Sequence, residues 1–346
     1  MGASLPGIVV GKSSGKHVKI KMVAGSSPKV SVLMAVKDGE KYVRAAIESI
    51  LTQTFSDFEC IIINDGSNDA TADIISEYSD SRIIFLSNQS NLGLSKSLNI
   101  GLEKARGIYL ARMDADDIAV SDRLSLQVNH LDMHPEIAVL GGGFSFIDDD
   151  GKVLQSFQFP LSHEVIVWSL AFFNPIVHPS VMMRTSVVKA LDSYNAQLRR
   201  SQDYDLWWRV SFSAKLGNLA ETLVLLRQHA TQVSREYRSD QFEHGIEINA
   251  KHLSRVLRQM IPSALIRNMW SRNVLSARDA LDIGNVIWKW YRINSSRIRS
   301  TVDKTYITND ALTRIDALRA PFTGNYRLLP LAIKSYLLGA SRKYGI

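Results

Sequence analysis

The chain has 346 residues, of which 45% are hydrophobic and 22% charged, a balance that is ordinary for a globular protein with a large core. No apolar stretch reaches the roughly 18 residues that a membrane-spanning helix needs, and the N-terminus lacks the apolar segment of a signal peptide. We therefore expect a cytosolic protein. Its single cysteine, Cys60, excludes an intrachain disulfide and lies in an apolar run that predicts a buried thiol.

The net charge of +7 is unevenly placed along the chain. Residues 235–346 carry 19 Lys and Arg against 9 Asp and Glu, whereas residues 29–234 carry 18 against 25. Solvation is the first explanation for the basic end, and contact with an anionic membrane surface or a lipid-linked substrate is the second. No zinc-finger spacing or aromatic-basic RNA motif is present, so we expect no nucleic-acid partner.

The elements of the first half alternate between strands and helices. Residues 1–28 are rich in Gly, Ser and Lys and predict a flexible arm. The periodicity that follows predicts, in chain order, strand Val30–Val36, helix Lys41–Gln53, strand Glu59–Ile63, helix Ala70–Tyr78, strand Arg82–Leu86, helix Leu94–Lys104 and strand Ile108–Met113. This alternation is typical of an α/β fold with a mostly parallel nucleotide-binding sheet flanked by helices.

The next stretch continues with shorter elements. A helix over Ser121–Leu131 is expected to have Ser121 as its N-cap, and Asp148–Gly151 is interpreted as a hairpin turn rather than a metal site. The remaining predictions are strands Ile137–Gly141, Phe144–Ile147 and Val153–Phe159, helix His163–Phe173, strand Ser180–Met183, helix Asp203–Ser213 and strand Thr222–Leu226.

After Ser234 the pattern changes to long Leu, Ile and Arg helical stretches. The predicted helices cover Gln241–Gln259, Ala264–Trp270, Ala277–Arg292 and Pro330–Lys343. The last of them either faces a core or lies on a membrane surface. The chain thus divides into an arm over 1–28, an α/β domain over 29–234 and a basic helical C-terminal region over 235–346.

Three carboxylates follow the strand that ends at Met113. Asp114, Asp116 and Asp117 repel one another unless a cation lies among them, and oxygen ligands of this kind suit Mg²⁺ or Mn²⁺. Ligands gather beyond the carboxyl ends of strands in an open α/β sheet, and a metal there would bind a diphosphate. The alternative is a solvated acidic turn before the next helix.

Two further aspartates lie at strand ends. Asp38 follows the first strand, and Asp65 follows the second and precedes Gly66. An Asp in this place accepts a hydrogen bond from a ribose hydroxyl or a base N–H, and the glycine lets the turn approach closely. Asp65 could instead cap the helix near Ala70.

Five segments in one order resemble the inverting family 2 glycosyltransferases of GT-A fold, in particular the bacterial ones that build exopolysaccharide, capsule or lipopolysaccharide. The resemblance covers about residues 29–234 and is specific to the family, not to a sugar. Its motifs are Val30–Glu40, Ser49–Phe55, Ile62–Asp69, Asn91–Leu94 and Met113–Asp117.

The resemblance implies a set of donor and metal ligands. Asp114 would contact the ribose, Asp116 would coordinate the Mn²⁺ or Mg²⁺ that bridges the donor diphosphate, and Asp117 would cap the following turn. The other residues implied for the donor nucleotide are Ala35, Val36, Asp38, Asp65, Gly93, Lys96 and Ala115. Lys37, which stands where Tyr is common, either touches an anionic ligand or points to solvent.

The segment Ser201–Arg209 resembles the family's Glu-Asp-Tyr-Asp-Leu-Trp motif, whose first Asp is the general base. That residue is Asp203 here, and a helix N-cap is its alternative role. Gln202 stands where Glu is usual, and with Trp207 it is assigned to the donor-sugar and acceptor side. Asp205 is expected to be structural or to pair with a nearby Arg.

Two histidines lie in further segments that resemble the family. His229, in the closing segment Leu226–Ser234, is interpreted as another metal or phosphate ligand, with a structural role as the alternative. His178, in Asn174–Ser180, would hydrogen-bond the donor sugar or its phosphate, and a buried structural role is again the alternative.

The sequence therefore predicts a metal-dependent glycosyltransferase that moves a hexose or N-acetylhexosamine from a nucleotide sugar to a saccharide acceptor. A UDP-sugar is favoured by family habit, and a lipid-linked acceptor with peripheral membrane contact would explain the basic C-terminal region. The alternatives are a sugar nucleotidyltransferase, although no Gly-rich phosphate loop follows the first strand, and a non-catalytic nucleotide-sugar-binding scaffold.

Overall fold

The computed structural model describes residues 27–229, 238–271 and 276–318. The first half alternates strands and helices in the predicted order. Its elements are β1 (Val30–Val36), α1 (Val43–Leu51), β2 (Phe58–Asn64), α2 (Thr71–Ser76), β3 (Ile83–Ser87), α3 (Leu94–Lys104) and β4 (Tyr109–Asp114).

The following stretch departs from the prediction in several places. One strand runs where two were expected, a two-residue strand and a short helix were missed, and the last strand is much longer than predicted. The elements are β5 (Ile118–Ala119), α4 (Arg123–Met133), β6 (Ile137–Ile147), β7 (Val153–Phe157), α5 (His163–Leu170), β8 (Met182–Arg184), α6 (Thr185–Ala190), α7 (Gln202–Ser211) and β9 (Lys215–Arg227).

All nine strands in the described residues join one sheet. Its order is β3-β2-β1-β4-β8-β6-β9-β5, with β7 paired to β6. The β1, β2, β3 and β4 strands are parallel to one another, whereas β8 runs antiparallel to both β4 and β6. The α/β prediction is confirmed, but the sheet is mixed rather than mostly parallel.

Strands β1, β2 and β4 of the parallel half are almost entirely buried because helices cover both faces of the sheet there, whereas β3 at the sheet edge is half-exposed. Every residue of β2 is buried, including Cys60, which confirms the buried thiol. The α3 helix packs closely on one face, since a Cβ on Gly101 would lie only 2.2 Å from a methyl carbon of Leu33 and 2.7 Å from one of Ile63. Continuous apolar strands of this kind are typical of sheets covered on both sides.

Two predicted details of local structure have different outcomes. The turn after β6 is the predicted hairpin, in which the Asp148 carboxylate accepts hydrogen bonds from the backbone N–H groups of Asp150 and Lys152. The predicted Ser121 cap is wrong: α4 begins at Arg123, Asp122 occupies the N-cap without a capping hydrogen bond, and the Leu124 backbone N–H donates to Gln53 Oε1 instead.

In the described part of the chain, four helices follow the sheet: α8 (Arg238–Leu257), α9 (Ser263–Ser271), α10 (Ala277–Ser295) and α11 (Thr301–Ala317). The α11 helix was not predicted, because its Thr-rich sequence has little periodicity. The signal available was Ser300, whose hydroxyl accepts from the Asp303 backbone N–H as a helix cap. The predicted helix Pro330–Lys343 and residues 1–26 of the predicted arm lie outside the described residues.

The C-terminal helices share a hydrophobic core with α3, α5 and α7. Trp168 of α5 donates to the Asp310 carboxylate at 2.7 Å, and Trp290 of α10 donates to the Trp168 carbonyl at 3.0 Å. These helices are therefore packed on the α/β part of the chain. The boundaries at residues 28 and 234 stay predictions. Within the ranges described, no helix is both long and apolar enough to cross a membrane.

A buried charged cluster fastens α7 to α8. Asp205 is 2% exposed and accepts from Arg209 Nε at 2.8 Å and from His252 Nε2 at 3.1 Å. The His252 ring stacks on Trp208. Burial acts to raise the pKa of Asp205, but the hydrogen bonds from His252 and Arg209 outweigh it, and the pKa lies below its usual value. The expectation that Asp205 pairs with a nearby Arg is confirmed.

We expect the substitution Asp205→Ala to lower the free energy of unfolding by about 3–5 kcal/mol, because it leaves the buried His252 and the partly buried Arg209 without their shared acceptor. The stability that the ionised Asp205 contributes should be present at neutral pH and fall as the pH drops through its lowered pKa. Urea unfolding measures both effects. Glu77→Ala, which removes the exposed partner of Arg44, should change stability far less. Equal losses in the two variants would contradict the role of the cluster.

Candidate active site

The carboxyl ends of three neighbouring parallel strands form one edge of the sheet. β1 lies between β2 and β4, and its residue Ala35 is in register with Ile63 of β2 and with Asp114 of β4. The direction of the sheet changes next to β4, where antiparallel β8 begins. Ligands of open α/β sheets bind at such an edge.

The turn after β1 is built around Asp38, which adopts a left-handed backbone conformation with φ of 48°. Its backbone N–H donates to Ser67 Oγ, and its carboxylate accepts from the Asn68 backbone N–H at 2.8 Å. Lys37 Nζ lies 2.9 Å from the same carboxylate and donates to the Gly66 carbonyl. The Asn68 hydrogen bond and Lys37 lower the pKa of Asp38, so it is ionised at neutral pH.

Asp65 organises the loop that leads from β3 to α3. Its carboxylate accepts from Asn88 Nδ2 and from the backbone N–H groups of Leu92 and Gly93, all at 2.8–2.9 Å. Gly66 has φ of +67°, and a Cβ there would lie 2.6 Å from the backbone of this loop. The close approach expected of Gly66 is confirmed. Asp65 does not cap α2, whose N-cap residue has no side-chain hydrogen bond.

The other residues assigned to the donor lie around the same edge. Val36 and Ala115 are buried, Ala35 is half-buried, and Lys96 is exposed on the first turn of α3. Gly93 precedes α3 with φ of 90°. Their individual contacts with a nucleotide stay predictions.

The acidic cluster begins at the last residue of β4 and continues into the turn that follows. Asp114, Asp116 and Asp117 each offer a carboxylate oxygen, and these atoms lie within 4.8 Å of one another. Asp114 and Asp116 are about one-third exposed, whereas Asp117 is buried. Burial and the Asp114 charge raise the pKa of Asp116, and burial with both neighbouring charges raises the pKa of Asp117 well above its usual value. The cluster therefore favours a bound cation.

The end of β9 returns to this cluster. The Arg227 backbone N–H donates to Asp117 Oδ1 at 2.9 Å, and Arg227 Nε donates to the Asp116 carbonyl at 3.2 Å. His229 Nε2 lies 3.0 Å from Asp116 Oδ2. Asp117 was expected to cap the following turn, but its hydrogen bond goes to β9 instead, because this strand is adjacent to β5 in the sheet.

The oxygen and nitrogen atoms that the cluster offers as ligands suit the predicted metal. Carboxylate oxygens are the ligands that Mg²⁺ and Mn²⁺ prefer, and Mn²⁺ also accepts an imidazole nitrogen such as that of His229. The pKa values of Asp116 and Asp117 are raised by burial and by neighbouring negative charge, and a divalent cation would reverse this shift. The residues that could hold the metal are therefore Asp114, Asp116 and Asp117, with His229 beside them.

A buried guanidinium lies beneath the acidic cluster. Arg112 is 2% exposed and forms an ion pair with Asp114. Its Nε and Nη1 atoms have no hydrogen-bond partner among the described residues. Sequence analysis missed Arg112, although strand alternation from Leu110 through Arg112 to Asp114 puts all three side chains on one face.

Asp203 lies on the second residue of α7. Asn174 Nδ2 donates to its Oδ2 atom at 2.8 Å. Loss of contact with water raises the pKa of Asp203, while hydrogen bonds from Tyr204 and Asn174 and the charge of Arg112 oppose this shift. Asp203 is not the helix N-cap, since Ser201 holds that position in a left-handed conformation. A half-buried carboxylate with a raised pKa is suited to accept a proton.

Three residues assigned to the sugar side are buried. His178 Nε2 lies 2.8 Å from Tyr194 Oη, and Trp207 is fully buried with its ring edge-on to His178. Gln202, the first residue of α7, is 5% exposed. Trp207 therefore belongs to the core behind the site rather than to its surface, because α7 presents its apolar face to the sheet. Tyr194 was missed by sequence analysis.

Comparison with known proteins identifies the family. Residues 31–190 match the family described as Glycosyl transferase family 2. The O-antigen biosynthesis glycosyltransferase WbnJ of Escherichia coli is 34% identical over 58% of this chain and 80% of its own length. The chain belongs to glycosyltransferase family 2. An uncharacterised glycosyltransferase of Methanocaldococcus jannaschii is 42% identical over 53% of this chain, and the match spans 64% of that relative's length.

A solved structure supports the same fold. Residues 1–349 of S. aureus TarS, crystallised in complex with UDP-GlcNAc, superpose with a TM-score of 0.55 and cover 91% of this chain and 92% of that one. The two sequences are 16% identical, so the likeness concerns the fold. The predicted GT-A fold and the predicted family are both confirmed.

We expect UDP with Mn²⁺ to raise the melting temperature of the wild-type protein by about 3–5 °C, and Asp116→Ala to abolish the part of this shift that needs the metal. The reason is that Asp116 offers the cluster an oxygen that alanine cannot replace. Thermal denaturation with UDP, with Mn²⁺ and with both measures the effect. Asp122→Ala, an exposed aspartate near the cluster, is the matched control and should keep the full shift. An undiminished shift in Asp116→Ala would exclude this residue as a metal ligand.

Proposed function

We propose that the protein is a metal-dependent inverting glycosyltransferase. It transfers a hexose or N-acetylhexosamine from a nucleotide sugar, with a UDP-sugar as the first donor to test, to a saccharide acceptor in cell-surface polysaccharide synthesis. We also propose that the enzyme works in the cytoplasm, at the inner face of the membrane, and that its acceptor is linked to a lipid. WbnJ supports the polysaccharide assignment, and the TarS complex supports a UDP-sugar donor.

The main support for the proposal is that the carboxylates of the site form two separate groups. Asp114, Asp116 and Asp117 crowd together at the sheet edge. Asp203 lies apart from them on α7, where it is hydrogen-bonded to Asn174. The Arg112 guanidinium pairs with Asp114, and its charge also acts to lower the pKa of Asp203. One group suits a cation and a diphosphate, and the other suits a proton transfer.

In the proposed reaction the acceptor oxygen attacks the anomeric carbon of the donor from the side opposite the diphosphate. The new C–O bond forms as the bond to the diphosphate breaks, which inverts the configuration. The hydroxyl proton passes to Asp203, and the diphosphate leaves with the electron pair. When bound at the acidic cluster, the metal supplies a Lewis acid that offsets the charge of this leaving group.

Protein residues hold the two reacting groups in place. Asn174 Nδ2 fixes the Asp203 carboxylate through its 2.8 Å hydrogen bond. Asp38 and Asp65 hold the two turns that border the nucleoside side, and the ion pair with Arg112 fixes Asp114. These contacts make the site rigid before the donor binds, which reduces the free energy needed to order it.

The substitution Asp203→Asn should lower the rate of sugar transfer by about 10²–10⁴-fold, because an amide cannot accept the hydroxyl proton at neutral pH. Release of UDP from a UDP-sugar, measured with and without an added saccharide, reports the rate. The Mn²⁺-dependent thermal shift with UDP should stay unchanged, since Asp203 lies outside the acidic cluster. Asp282→Asn, an exposed aspartate on α10, serves as the control. Wild-type transfer by Asp203→Asn would exclude Asp203 as the general base.

The pH dependence of kcat tests the role of Asn174. Transfer requires ionised Asp203, so activity should be full above the pKa of this group and fall as the pH drops through it. That pKa is already raised by burial and is held down in part by Asn174. Asn174→Ala should therefore move the acidic limb of the profile to higher pH. A limb that stays in place would show that Asn174 does not set the pKa of the base.

A further inference from the structure

A cavity of about 610 Å³ opens between the start of α7 and the helices α8 and α9. Its volume lies within the range of small-molecule sites, which is about 300–1,000 Å³. The catalytic side of the chain contributes one wall, and the C-terminal helices contribute the other. The residues used below are Asn174, Asp203, Tyr204, Gln241, Phe242 and Trp270.

The wall formed by the C-terminal helices is aromatic, and ring contacts and a hydrogen bond hold its side chains in place. Trp270 of α9 lies edge-on to Phe242 of α8, with ring centroids 6.0 Å apart, and to Tyr204 of α7 at 5.8 Å. Its Nε1 atom donates to the Ala171 carbonyl at 3.0 Å, which fixes the plane of the indole. A Cβ on Gly245 would lie 3.0 Å from the same ring, so the glycine leaves the room that Trp270 occupies.

The opposite wall is polar and carries the proposed base. Asp203 and Asn174 line the cavity together and are joined by their 2.8 Å hydrogen bond. Ser201 Oγ donates to the Gln241 carbonyl at 3.1 Å, and this bond ties the beginning of α8 to the beginning of α7. The distance between the two walls is thus set by direct contacts between the helices.

The chemistry of the lining is that of a sugar site. A pyranose presents C–H groups on its face and hydroxyls around its edge, and it therefore needs an aromatic surface on one side and a few acceptors and donors on the other. Among the described lining residues, Asp203 is the single acidic side chain, and none is Lys, Arg or His. An anionic sugar would face this carboxylate at close range, so the lining favours an uncharged ring.

We propose that this cavity binds the acceptor as an uncharged pyranose, which stacks on Phe242 with Trp270 beside it and presents its attacking hydroxyl to Asp203. The inference rests on the proposed function and adds to it the class of acceptor and the residues that select it. The C-terminal helices then complete the active site, because without α8 and α9 the cavity would lose its aromatic wall.

Saturation-transfer NMR on the full chain tests the proposal with four probes: the methyl β-glycosides of glucose, galactose and N-acetylglucosamine, and methyl β-glucuronide. At least one neutral glycoside should receive saturation, chiefly on its ring C–H protons. Phe242→Ala should weaken its binding about tenfold, because the stacking surface is lost. Gln241→Trp should block binding by filling the cavity from its rim. Tyr306→Ala, an exposed aromatic on α11, is the control and should bind as the wild type does.

The outcomes separate this inference from the proposed function. The thermal shift with UDP and Mn²⁺ is measured on the same variants and should be equal in all of them, since the donor side is unchanged. Absence of a thermal shift with UDP and Mn²⁺ in the wild-type protein would contradict the proposed function, whether or not the glycosides bind. The cavity proposal is overturned if no neutral glycoside binds the wild type, if the glucuronide alone binds, or if binding survives in both cavity variants.

Discussion

The mutual repulsion of three carboxylates is the constraint around which the sheet edge is built. Asp114, the last residue of β4, and Asp116 and Asp117 lie within four residues of the chain, and cationic or donating groups contact them. Arg112 approaches from below, and Arg227 and His229 approach from the end of β9. Arrangements of this kind cost stability in the free protein, and they are retained where charge must be bound.

The α7 helix connects the proposed catalytic base to the C-terminal helices. Asp203 and Asp205 are two residues apart, and a helix turns by about 200° over that interval, so they point in nearly opposite directions. Asp203 faces Asn174 and the cavity, whereas Asp205 is fastened to His252 of α8. The same helix therefore carries the proposed base and the anchor for the C-terminal helices, which fixes the base relative to the aromatic wall.

Local patterns predicted the parts of the molecule that depend on neighbours in sequence. The alternation of β1 to β4, the turn at Gly66 and the Asp205–Arg209 pair, one helical turn apart, all follow from periodicity and spacing. The acidic cluster could be found because its members are adjacent. The remainder depends on distant segments: Asp117 binds Arg227, which lies 110 residues later, and no spacing rule indicates that Trp270 lies beside Tyr204. The pairing of β6 with β9 and the presence of the cavity could therefore not be predicted from the sequence.

The separation of the two walls has an evolutionary consequence. In the proposed enzyme, residues between Ala35 and Asp117, together with His229, handle the diphosphate, whereas the aromatic wall comes from residues 239–270, a different stretch of the chain. In the proposed enzyme, substitutions on α8 and α9 would alter which sugar is accepted and leave the bond-breaking chemistry intact. New linkages could then arise by drift in one small segment, since a lineage would not have to rebuild its donor site to change its product.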